Sequence, residues 1–340
     1  MKNQGKRIVL TNIILTIILI ISLIANGIQA YLFKANERFD WSIGVISSKG
    51  NVVQVANCNF NGNFYNIDKD KILDDGWNEI NDTENDMKEA FFPDSLSIKW
   101  FSYNEKKFYN GNFSLPKESI LTKALQIGAL PSNKQGYAEV LRFIAEVQPK
   151  GKVIVWIQNF DEKDNNRKLQ IGTYHAKETK ATWHIFDDSS ETNKTSAIDI
   201  SKKVDLVMER HFYKLNIKLP TGYTLNNSYF KLFNQNIWRF SERELKTALS
   251  FDFLPKEFYL EWGNGKKRFN TQFSFDEDEV LDAFRKEGNN RVKSLVLELI
   301  VNDHNNAIEV SLKNSKANSN IIFKDKYQSK NERSIIQLRN

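Results

Sequence analysis

The sequence predicts an α+β protein: an N-terminal transmembrane helix followed by two similar, mainly antiparallel β units, each with one amphipathic helix. Three observations predict it. Residues Ile8–Phe33 carry no charge, and most of the remaining chain alternates apolar and polar residues with a period of two. One order of elements (strand, strand, helix, hairpin) then occurs twice. At 340 residues there is room for about two domains. With hydrophobic residues at 41%, the chain is too apolar to be disordered.

The first element is the charge-free run. As a helix it would be about 39 Å long, enough to cross a hydrocarbon core of about 30 Å. Lys2, Lys6 and Arg7 precede it, whereas Lys34, Glu37 and Arg38 follow it and nearly cancel. The positive-inside bias therefore predicts a cytoplasmic N-terminus and residues 39–340 on the extracytoplasmic side of a bacterial inner membrane. A secretory signal has an apolar region of about 7–15 residues, so the longer run favours an uncleaved anchor. Cys58, the single cysteine, lies too far along the chain to be a lipid-modified residue. It also rules out an intrachain disulfide framework.

Trp41, Ile43 and Val45 alternate with polar or small residues and read as the first strand. Residues 51–64 read as two short strands around Ala56 and Asn57, and the polar stretch 68–89 as a loop. Leu96, Ile98 and Trp100 mark another strand, and residues 108–113 its partner. Pro116 opens a helix whose Ile120, Leu121, Ala124, Leu125 and Ile127 form one apolar face, and Gly128 ends it. Residues 140–147 and 152–158 form a hairpin, with a further strand at 168–172.

The order then returns. Pro255 and Trp262 match Pro93 and Trp100, Lys266 and Lys267 match Lys106 and Lys107, and Asn270, Phe273 and Ser274 match Asn110, Phe113 and Ser114. Residues 276–286 repeat the helix, with Asp276 and Glu279 at capping-box spacing. Residues 292–301 and 307–312 repeat the hairpin. The chain is thus organised as a tip and anchor at 1–38, a first unit at 39–180, and a second at 181–340 with a basic tail. The polar segment 187–196 lies near the join. Either 181–186 or 211–219 supplies the first strand of the second unit.

These residues resemble an uncharacterised bacterial envelope family, domain of unknown function 2931. The segments FDWSIGV (39–45) and LSIKWFSYNEKKFYNGNFSLPKESI (96–120) carry the resemblance, with Trp100, Ser102, Glu105, Phe108 and Tyr109 at the family spacing. It covers about 39–172, and the second unit reads as a degraded copy. The resemblance implies an exported, membrane- or lipid-attached protein and assigns no catalytic residue. A lipidated N-terminus, usual in the family, is not met here.

Chemistry-bearing motifs are sparse. There is no glycine-rich phosphate loop, no Gly-x-Ser-x-Gly and no His-Glu-x-x-His. Asp68, Asp70, Asp74 and Asp75 only superficially suggest a calcium loop, since Ile72 stands where an oxygen ligand belongs. No cofactor or metal is expected. Four of the six net positive charges fall in the first 38 residues, so no basic stripe for nucleic acid is expected in the exported part. The expected function is a membrane-anchored binding or interaction protein with an envelope protein partner. One version is an immunity protein that neutralises a toxin. The competing class is an envelope hydrolase acting on a glycan, peptide or lipid through a carboxylate such as Glu105. The candidate interaction residues are Ser102, Tyr103, Asn104 and Glu105. There the first unit has two residues more than the second, Glu105 stands against Gly265, and an exposed Tyr103 would anchor a contact.

Overall fold

Alternation along a strand sends every second side chain to one face, and the inward set here is large and apolar. The computed structural model describes residues 2–35, 37–61, 67–82, 87–132, 140–160, 167–186, 199–245, 249–288, 295–327 and 335–338. The polar join at 187–196 and much of the basic tail lie outside these. The chain divides into two units, Met1–Asp187 and Asp188–Asn340.

Unit 1 begins with α1 (Lys2–Ala35) and continues through β1 (Phe39–Ser47), β2 (Val53–Phe60), β3 (Ile72–Leu73), β4 (Asn81–Asp82) and β5 (Met87–Ala90). Then come β6 (Ser95–Ser102), β7 (Lys107–Ser114), α2 (Lys117–Gln126), β8 (Val140–Val147), β9 (Lys152–Phe160), β10 (Arg167–His175) and β11 (Lys177–Thr179). One sheet has the order β10-β9-β8-β1-β4, with β5 also on β1; the other is β11-β7-β6-β2-β3. Among the described residues of this unit, β1 and β8 are the one parallel pair. The inward faces of the two sheets share one core: Trp41, Ile43, Val45, Phe143 and Val155 from the first sheet meet Val55, Phe60, Ile98 and Trp100 from the second. Burying each such side chain contributes about 1.5–3 kcal/mol. Helix α2 adds Ile120 and Ala124 to that core, whereas Leu125, expected on the same face, is exposed because its position turns it away from the sheets. It ends in a Schellman turn: Gly128, at φ +83, donates to Leu125 O, and Ala129 donates to Ala124 O.

Unit 2 runs α3 (Ile200–Met208), β12 (Arg210–Lys218), β13 (Thr224–Leu232), β14 (Ile237–Phe240), α4 (Glu242–Leu245), β15 (Ser250–Phe253) and β16 (Pro255–Gly263). It closes with β17 (Arg268–Ser274), α5 (Glu277–Gly288), β18 (Leu295–Val301), β19 (Ile308–Asn314), β20 (Ser319–Phe323) and β21 (Ile336–Leu338). Its sheets, β15-β12-β18-β19-β20 and β14-β13-β16-β17-β21, repeat the connectivity of unit 1 with β15 in the place of β5 and, among the described residues, no counterpart of β4, and β12 with β18 is again the parallel pair.

The likeness extends to single atoms. Trp41 Nε1 donates to Phe91 O at 3.2 Å, and Tyr213 Oη donates to Phe253 O at 2.9 Å. Asn159 Nδ2 donates to Ile127 O at the end of α2, and Asn314 Nδ2 to Glu287 O at the end of α5. Trp100 and Trp262 each sit opposite the start of a bulge, between Val55 and Asn57 in one unit and between Leu225 and Asn227 in the other.

Several readings of local structure change. Residues 53–60 are one strand, not two, because the bulge at Ala56 absorbs the break in alternation without ending the ladder. The polar stretch 68–89 is not all loop: β3, β4 and β5 pair at sheet edges. Segment 211–219, not 181–186, supplies the first strand of unit 2. Residues Trp183–Phe186 form a 3₁₀ turn in unit 1, where Trp183 meets Phe101 and Phe108. Helix α3 was not expected. Asp199 caps it through Ser201 N and Lys202 N. Asp276 likewise caps α5 through Asp278 N and Glu279 N, but Glu279 turns to Lys324 N instead of closing a capping box.

Candidate functional site

Ser102, Tyr103, Asn104 and Glu105 form the β6–β7 turn. The extra two residues of unit 1 amount to one added rung, Ser102 opposite Lys107. Three turns meet at this end of the unit. Tyr103 N donates to Val52 O at 2.9 Å, and Asn104 Oδ1 accepts from Val52 N at 2.6 Å, tying the turn to the β1–β2 connection. Both Glu105 carboxylate oxygens accept from Lys150 N at 3.1 Å, tying it to the β8–β9 connection. Ser102 Oγ accepts from Glu105 N at 3.3 Å.

The expected exposed aromatic is not there. Tyr103 is 2% exposed, and its hydroxyl donates to Gln54 Oε1 at 2.6 Å. Its ring packs against Phe101 and Trp183. Burial pushes its phenol far up, Asp70 adding to the effect. Ser102 is buried as well, whereas Asn104 faces solvent and Glu105 is half-buried. The turn is therefore a brace holding three connections, with Asn104, Lys106 and Lys107 left outward. Glu105, held by a backbone N–H, lies beside Tyr109, whose phenol is raised by burial and then by Glu105.

Other side chains gather where local pattern is a weaker guide. In unit 1, Trp77 and Trp156 meet edge-on at 5.8 Å, and Lys168 Nζ lies 3.7 Å over the Trp77 ring. Trp156 Nε1 donates to Glu146 Oε2 at 2.8 Å. The one signal for this cluster is the phase of β9: Val153, Val155 and Ile157 point inward, so Trp156 points out. In unit 2 the outward side of β13, β16 and β17 carries Tyr229 stacked on Tyr259 at 5.8 Å, with Glu261 paired to Arg268. Arg285 joins α5 to Asp205 and Glu209, and Glu209 also meets His211 at 3.1 Å. Burial pushes the Glu209 carboxyl up, but its bonds to Arg285 and His211 outweigh this and hold it below the ordinary value. Among the described residues no group of His, Cys, Asp and Glu could hold a metal ion. In the stretch with calcium-like spacing, Ile72 and Leu73 are buried in β3 and Asp68 Oδ1 accepts from Asp70 N.

A family model described as "Protein of unknown function (DUF2931)" matches residues 29–216, more than half the chain. The chain belongs to the DUF2931 family. The DUF2931 match spans β1 to β11 and α3 and ends within β12, so most of unit 2 lies outside it. No curated protein and no solved structure matches the chain.

Proposed function

We propose that this DUF2931 protein is a membrane-anchored binding protein of the bacterial envelope. Helix α1 crosses the inner membrane once, its N-terminus stays in the cytoplasm, and residues 39–340 present two tandem copies of one fold outside it. The observation that carries the reading is α1 itself: the stretch Ile13–Tyr31 has mean hydropathy 2.3, and none of its side chains is buried against the protein. An apolar helix that packs on nothing needs lipid around it. Lys2, Lys6 and Arg7 before it set the orientation.

Binding is favoured over hydrolysis because Glu105, the best carboxylate for an acid or base, is occupied in bracing the Lys150 backbone. A partner protein would be met by outward residues such as Asn104, and one such partner is a toxin acting in the envelope. Alkaline phosphatase fused after residue 60 should be active, and the full chain should resist carbonate extraction. An inactive fusion reverses the orientation. For binding, detergent-extracted full-length protein should co-purify with a stoichiometric envelope protein. Turnover of a glycan, peptide or lipid that Glu105→Gln abolishes in a folded protein would replace binding with catalysis.

A further inference from the structure

We propose that the end of unit 1 where β1 begins is a lipid-contacting face, with Phe91 and Leu130 entering the headgroup layer of the membrane that α1 crosses. The proposal rests on the anchor reading above. Chain length sets the first constraint. Arg38 follows the end of α1 by three residues, so it lies within about 11 Å of Ala35. The start of β1 is therefore held close to the bilayer surface.

What stands at this end fits lipid. Phe91 is 37% exposed, with the Arg38 guanidinium and the Lys117 ammonium each 5.1 Å from its ring centre. Leu130, 39% exposed, stands two residues before Ser132, whose N–H donates to Arg38 O at 2.8 Å. An exposed ring and an aliphatic side chain flanked by cations suit the zone where acyl chains meet phosphates. The apolar groups leave water, and Arg and Lys take phosphate oxygens. Acidic neighbours limit the net charge: Glu37, Glu89 and Glu118 lie nearby in the chain, and Asp40 pairs with Lys88 at 3.7 Å and accepts from Ser132 Oγ. The contact is thus carried by the apolar pair and its two flanking cations rather than by a broad positive field. The opposite end of the same strands holds the Ser102–Glu105 turn, about 25 Å away along β6, so the face meeting lipid and the turn are at opposite ends of the unit.

The test uses the full chain in nanodiscs of phosphatidylcholine and phosphatidylglycerol. A nitroxide is placed by Lys88→Cys, beside the patch, or by Asn104→Cys, at the far turn; Cys58 is wholly buried and leaves the new thiol as the labelled one. Collision with a water-soluble nickel chelate should be several-fold lower at 88 than at 104. Adding Phe91→Ser with Leu130→Ser should raise position 88 to the level of 104. Equal exposure at both positions, with α1 resistant to carbonate extraction, would overturn the lipid-contacting face and leave the anchor standing. Failure of α1 to insert would overturn the anchor reading and this inference with it.

Discussion

At matched places on the same strands, unit 1 carries Asn59, Ser97 and Lys99 where unit 2 carries Tyr229, Tyr259 and Glu261. One rung away most inward side chains keep their kind, Phe60 with Phe230, Ile98 with Leu260 and Trp100 with Trp262, the exception being Cys58 with Ser228. The difference lies in what each face must satisfy. An inward position is fixed by volume and by neighbours that cannot move, at the density of an organic crystal. An outward position lies off that core and is held less strictly: of these six residues Lys99 is exposed, Ser97, Tyr229 and Tyr259 are half-buried, and Asn59 and Glu261 are covered by their neighbours, yet the chemistry at all three matched pairs has diverged. The two outward faces are therefore where the units differ most in the chemistry they present.

The largest expected effects test whether the inward positions are equivalent. Trp100→Ala and Trp262→Ala should each cost about 3–5 kcal/mol by denaturant titration. A loss of under about 1 kcal/mol for one of them would break the correspondence. Next comes Tyr103→Ala, expected to cost about 3 kcal/mol because it removes a buried ring and leaves Gln54 Oε1 without its donor. Glu105→Ala, at a half-buried site, should cost far less. A smaller contrast appears on acidification. Glu298 in unit 2 is pushed up by burial, but bonds to Lys218 and Lys313 outweigh this and hold it low, as Arg285 and His211 do for Glu209. A lowered carboxyl stabilises the fold above its unfolded value of about 4.3, and that stability is lost as pH falls through the folded value. Glu79 in unit 1 has the opposite sign: burial raises it, so protonation favours the folded form as pH falls. Amide exchange should therefore show unit 2 weakening below about pH 4.3, and Glu209→Gln with Glu298→Gln should flatten that response. The smallest effect is at the β16–β17 turn, where Gly265 has φ +80 and open space around it. Gly265→Ala should cost about 1 kcal/mol through backbone strain alone.

The parts legible in the sequence are those fixed by period. Alternation placed Trp41, Trp100 and Trp262 inward, and a one-residue slip would have turned each strand over. The helix face at Ile120 and Ala124 and the stop at Gly128 follow from spacing and from the one residue that tolerates a left-handed turn. The bulge at Ala56 was hidden because an extra residue in a strand looks the same as a break between two strands. Strands β3 to β5 are two to four residues long in polar surroundings, where periodicity has no length to act on. The turn at 102–105 was located in sequence, but the burial of Tyr103 depends on Gln54 and Trp183, far away in the chain, which no local pattern records.

Cys58 lies in the core of unit 1, wholly out of contact with water, and burial pushes its thiol up to about 12. The matched position in unit 2 is Ser228. A thiol so placed is inert in the closed fold and reacts only when its surroundings open. The protein thus carries its own clock: the rate at which a thiol reagent captures Cys58 measures how often unit 1 opens. Cys58→Ser combined with Ser228→Cys moves the same clock to unit 2, so the opening rates of the two units can be read one at a time in an otherwise unlabelled chain.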